Sequence, residues 1–169
     1  MRNSKSLLKM ITLSMLIALG VVISPILRVE GMCPMAHFIN IVCSVFMGPW
    51  YSLLCATLIG IIRMLIMGIP PIALTGAIFG AFLSGVFYRA SKGRIIFAVL
   101  GEVIGTGIIG ALVSYPLMRL FYGLDAQQWY YYVPFYTPSA VVGGAMGAAV
   151  LLILKRGGVL NRMLAQIGE

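Results

Sequence analysis

Residues 7–27, LLKMITLSMLIALGVVISPIL, contain a single charge, Lys9. A bilayer selects such a segment: crossing its hydrocarbon takes about 20 residues of helix, and only a helix satisfies every backbone amide within itself. Similar blocks recur down the chain. Of 169 residues, 61% are hydrophobic and 9% charged, with a mean hydropathy of +1.04. That leaves too little polar surface to cover a water-soluble globule of this size. The chain reads as an all-α integral membrane protein with one domain over residues 1–169.

Six transmembrane helices are expected, at about 7–27, 35–47, 50–67, 72–88, 95–122 and 140–154. The second is short and stops at Gly48-Pro49, which implies a tilted helix or one shielded by its neighbours. MGIPP (67–71) and the aromatic, proline-bearing GLDAQQWYYYVPFYTPS (123–139) are breaks. The basic start resembles that of a signal peptide, but no small-residue cleavage site follows, so the first block is kept as a helix. Six crossings place both termini on one side. Arg2, Lys5, Lys9, Arg89, Lys92, Arg94, Lys155, Arg156 and Arg162 fall on that side, and only Arg28 and Arg119 near the other. By the positive-inside rule the termini are cytoplasmic, and the 28–36, 68–71 and 123–138 connections face outward.

The net charge of +8 sits at block ends, without the basic face that nucleic acid requires. Three cysteines in or beside apolar blocks give neither a disulfide framework nor metal-ligand spacing. No H-E-x-x-H, G-x-S-x-G or P-loop is present, and four acidic residues with one histidine leave little from which to assemble a catalytic centre. The expectation is a non-enzyme without cofactor or metal; if transport is ATP-driven, the nucleotide site belongs to another chain.

Small residues recur at four-residue spacing: Gly76, Gly80 and Ser84; Gly101 and Gly105; Gly143 and Gly147. They allow helix backbones to approach closely, and internal packing is the plain reading. Ser14 and Ala18 repeat the spacing in the first helix. The polar residues converge on one depth. His37 and Asn40 share a face near the outer end of the second helix, with Arg63 about a turn from the outer end of the third. Thr75 lies near the outer end of the fourth, Tyr115 in the outer half of the fifth, and Tyr136 to Ser139 at the mouth of the sixth. Taken singly, each could be satisfying backbone groups near an interface; together they outline a binding site. Glu102, about two turns from the cytoplasmic end of the fifth helix, is expected to lie deeper, as an internal partner or a ligand group.

The stretch CPMAHFINIVCSVFMGPWYSLLCATLIGIIRMLIMG, together with GAIFGAFLSGVFYR and GEVIGTGIIGALVSYP, resembles the ThiW family, the hydroxyethylthiazole-type substrate-binding (S) components of energy-coupling factor (ECF) transporters. The likeness covers roughly residues 7–154. It implies an S-component bundle in a prokaryotic plasma membrane that captures a thiamin precursor outside the cell. It also implies a transmembrane coupling protein and two ATPase subunits as partners, with the first-helix face of Ser14 and Ala18 docking on the coupling protein. One departure is MGIPPIALTGAIFG, where the family tends to read GTGT followed by FPGS. Hydroxyethylthiazole is a neutral aromatic ring with one weakly basic nitrogen and one alcohol, so it calls for apolar walls and a few polar groups. His37, Asn40, Thr75, Tyr115 and Tyr136 supply that mixture, and Arg63 and Glu102 complete the candidate substrate-binding set. The alternatives are an S component for thiamin, a cation that would want a carboxylate, or for a pyrimidine; a stand-alone carrier; and a membrane scaffold.

Overall fold

The computed structural model describes residues 2–27, 32–123 and 128–167. Arg28 and the 28–31 and 124–127 portions of two connections expected to face outward lie outside the described residues. The elements are α1 (Arg2–Ile23), α2 (Pro34–Met67), α3 (Ile72–Ala90), α4 (Ile95–Ile104), a π-helical segment (Gly105–Gly110), α5 (Ala111–Tyr122), α6 (Val133–Arg156) and α7 (Val159–Ile167). Among the described residues all of these are helical. α4, the π segment and α5 run on as one apolar stretch, Ile95–Tyr122, long enough to span a bilayer, as are α1, α2, α3 and α6.

α2 is folded back on itself. A straight helix would hold Cys33 and Arg63 ~45 Å apart, yet Arg63 Nη2 donates to Cys33 Sγ at 3.4 Å and the Ser52 hydroxyl donates to the Asn40 carbonyl at 3.1 Å. The reversal is at Gly48, with φ 79° and ψ −176°, a conformation open in practice only to glycine, and Pro49 starts the return arm. A side chain at Gly48 would also strike the Arg89 guanidinium. The two arms, 34–47 and 49–67, are antiparallel, so the described residues of the bundle place six helical arms side by side. Their shared face forms the main core with Ile39, Ile41, Cys43, Cys55 and Ile59.

Three boundaries differ from expectation. α1 stops at Ile23 because Pro25 disfavours a helical Ser24. α6 begins at Val133, two turns earlier than the apolar pattern shows, since Pro134 sits in the first turn, where a missing N–H is harmless. The basic tail after Arg156 contains α7, which turns Leu160 and Ile167 inward against α1, α2 and α6.

Glycines set the closeness of the packing. A methyl group at Gly101 would lie 2.5 Å from the Leu83 carbonyl oxygen, and one at Gly105 would lie 2.5 Å from that of Phe79. α3 therefore presses backbone to backbone on α4 and the π segment, while Gly143 of α6 seats against Pro34 and His37. These repeats are internal packing. The pair in α1 is not: Ser14 and Ala18 are both exposed, and Gly20 is the small residue that meets Ile39 and Ile59.

Gly101→Leu or Gly105→Leu should therefore lower stability in detergent by at least ~1–3 kcal/mol through overpacking. Gly157→Ala, whose added methyl would meet nothing closer than 3.7 Å, should melt like the parent; thermal melting of the purified proteins checks both.

Candidate functional site

Glu102 is wholly buried, and its carboxylate ties together two elements. Oε1 accepts from His37 Nδ1 at 2.9 Å, Asn40 Nδ2 at 2.9 Å and Thr106 Oγ1 at 3.1 Å. His37 and Asn40 come from the first arm of α2, and Thr106 from the π segment one turn beyond Glu102. A carboxylate only accepts, so the imidazole donates from Nδ1, leaving Nε2 as its other hydrogen-bonding atom. Asn40 Nδ2 also donates to the Ala77 carbonyl at 3.2 Å, which brings in α3. Gly80 makes room: any side chain there would overlap Thr106 Oγ1 and the Glu102 carboxylate.

The sequence placed Glu102 deeper than His37 and Asn40, and the structure corrects this. Because the first arm of α2 is short, Asn40 stands ~12 Å from Gly48 and Glu102 ~11 Å from Ile95, counting 1.5 Å per residue. The two ends being level, the side chains meet.

A second polar chain lies toward the Cys33 end of the bundle, the end the sequence assigns outward and termed outer for that reason. Thr75 Oγ1 and Ser114 Oγ are 2.6 Å apart, Ser114 Oγ and the Tyr136 hydroxyl 3.2 Å, and that hydroxyl donates to the Ile72 carbonyl at 3.1 Å. Ser114 also donates to Gly110 O at 2.7 Å, and Thr137 to Gly107 O at 3.2 Å, so side chains serve carbonyls of the π segment. Such widened turns are frequent at functional sites. Just outside the span, burial and the neighbouring Tyr131 raise the Tyr132 phenol above its ordinary range.

Between these two networks lies a cavity of about 90 Å³, several times what one water needs. Its walls include Ala36, Ile69, Ile72 and Ala77, with the Tyr136 ring on one side and His37, Thr106, Ser139 and Arg63 as polar groups. Cys33 closes the rim: its N–H donates to Ser139 Oγ at 2.9 Å and its thiol to the Ser24 carbonyl at 3.0 Å. Among the described residues, Arg63 Nε and Glu102 Oε2 are buried without hydrogen-bond partners. Each such atom costs ~1–3 kcal/mol unless something supplies a partner. A second cavity, about 210 Å³, lies at the opposite end, lined by Ser44, Gly48, Tyr88, Arg89 and Leu164. Size alone favours the second; the unpartnered Arg63 Nε and the aromatic wall favour the first.

A family model described as thiamine-precursor transporter protein (ThiW) matches residues 10–157. The chain belongs to the ThiW family. It is therefore a multi-pass membrane protein of a transporter family, and the ThiW match contains every residue of the outer cavity and both networks. No curated protein and no solved structure matches the chain.

Of the candidate substrate-binding residues, His37, Arg63 and Tyr136 line the cavity. Asn40, Glu102 and Thr75 are one layer behind it, holding those that do. Tyr115 is half-buried and packs beside Tyr136 without reaching the cavity; its neighbour Ser114 is the residue turned inward. Cys33, Thr106 and Ser114 are additions, small polar residues whose identity in a sequence carries little signal; Ser139 lies at the sixth-helix mouth that the sequence already marked. Glu102→Gln replaces one acceptor oxygen with a donor that has no acceptor opposite it. Stability should fall by ~1–3 kcal/mol, with weaker ligand binding because a neutral amide oxygen holds His37 less firmly than a carboxylate; parallel melting and binding titrations test this.

Proposed function

We propose that the chain is the substrate-capturing S component of an ECF-type importer in a prokaryotic plasma membrane, its termini cytoplasmic, and that its outer cavity holds hydroxyethylthiazole or a close thiazole. The observation that carries this reading is the cavity's make-up: an aromatic wall from Tyr136, small apolar sides, and a few hydrogen-bonding groups on rigid helices, as a small heteroaromatic alcohol requires. The ring lies against the free face of Tyr136, and His37 Nε2, an acceptor when Nδ1 carries the proton, takes the alcohol O–H. Membership of a thiamine-precursor transporter family supports the choice of a thiazole. The exposed Ser14 and Ala18 support docking of α1 on a coupling protein, since a bare small-residue face allows close helix approach. Energy would come from the partner's two ATPase subunits.

Calorimetric titration of the purified protein with hydroxyethylthiazole should give saturable binding, weakened about tenfold or more by His37→Ala, the equivalent of one lost buried hydrogen bond. Unchanged affinity in that variant would overturn the site. Ser14→Trp or Ala18→Trp should abolish ATP-dependent uptake in cells expressing the coupling proteins, yet leave binding by the isolated chain near the parent value. Uptake surviving both substitutions would remove the docking face from α1.

A further inference from the structure

Among the described residues, the charge around the outer cavity is one-sided. Arg63 is only 4% exposed and lines the cavity. Its Nη2 rests on the Cys33 thiol, a weak and neutral acceptor, while Nε has no partner among the described residues. Among the described residues, no carboxylate lines the cavity. Glu102, the one acidic residue among those described, has Oε1 engaged by three donors in the layer behind. A buried guanidinium without a counter-charge is strongly unfavourable, and an oxyanion is its natural complement, taken up through a two-pronged hydrogen bond.

The helices add to this. Because α2's first arm, α3 and α6 all run the same way, their N-termini surround the cavity, which Cys33, Ala36 and His37, then Ile72, Ala73 and Gly76, then Tyr136 and Ser139 line in turn. None of the three has an acidic residue in its first turn or a side-chain cap. Their aligned peptide dipoles therefore present positive ends to the cavity, and no acidic side chain in their first turns offsets them.

We infer that the cavity is built for a ligand carrying an oxyanion arm, a phosphate monoester foremost, with Arg63 holding the oxyanion while the ring lies against Tyr136. This deepens the thiazole reading and rests on it for the identity of the ring, but the anion subsite stands on Arg63 and the helix termini. The arm takes Nε–H and displaces the Cys33 thiol from Nη2.

Three titrants separate the possibilities in the full-length protein: hydroxyethylthiazole, its phosphate monoester, and inorganic phosphate against potassium chloride of equal ionic strength. The phosphate monoester should bind at least tenfold more tightly than the alcohol. Arg63→Gln should erase that preference and Arg63→Lys, which keeps the charge but not the fork, should retain part of it. Inorganic phosphate should raise the melting temperature of the parent and leave Arg63→Gln unmoved. If the alcohol binds as tightly as its phosphate, or the preference persists in Arg63→Gln, the inference is overturned and the thiazole site survives. If no thiazole binds yet phosphate stabilises through Arg63, the anion subsite stands and the thiazole reading falls. Should neither thiazole nor phosphate act, both are overturned. If Arg63→Gln does not fold, the comparison of parent with Arg63→Lys decides.

Discussion

Glu102 is the constraint on which the outer half of the bundle depends. A wholly buried carboxylate is tolerated only where donors surround it. Here they come from His37, Asn40 and Thr106. Each of those side chains has a second duty: His37 and Thr106 face the cavity, and Asn40 reaches the α3 backbone through Ala77. Fixing one oxygen thus fixes the register of α2 against α4 and α3, and with it the cavity's inner surface. Gly80 is the condition for the arrangement, since the carboxylate and the Thr106 hydroxyl occupy the volume a side chain would take.

The two ends of the bundle follow different chemistry. At the outer end the short first arm of α2 leaves its N-terminus, with Cys33, Ala36 and His37, at the cavity; the hairpin at Gly48 brings Arg63 back beside Cys33. At the other end are the basic residues of the α3–α4 turn and the close of α6, and α7 laid across α1, α2 and α6. α1 stands partly apart, with Leu7, Met10, Met15 and Val22 exposed to lipid or to another protein. The exposed Ser14 and Ala18 thus lie on a peripheral helix, away from the cavity.

The spans, the reversal at Gly48-Pro49 and the internal role of the glycine repeats were legible in the sequence, because apolar length, Gly-Pro and four-residue spacing each have a direct physical reading. Convergence of His37, Arg63 and Tyr136 followed from their common depth. Three features were hidden. Glu102 looked too deep because depth was judged by distance from a helix end, whereas the two helices differ in length and start from opposite sides. Ser114 was passed over for Tyr115 because the larger residue draws attention, and the π segment just before it shifts which side chain turns inward. α7 lies in a basic tail whose apolar residues, among them Leu160, Leu164 and Ile167, are too few to register as a span; their spacing on one helix face was the available signal.

The central claim is that a small heteroaromatic ligand sits in the outer cavity over the Glu102 network, in preference to the larger cavity at the opposite end. An experimental structure of the purified protein saturated with hydroxyethylthiazole or its phosphate monoester tests it most directly. The account requires ligand density between Tyr136, His37 and Arg63, with the Glu102 contacts to His37, Asn40 and Thr106 intact. Density between Tyr88, Arg89 and Leu164, with the outer cavity unchanged, would contradict it.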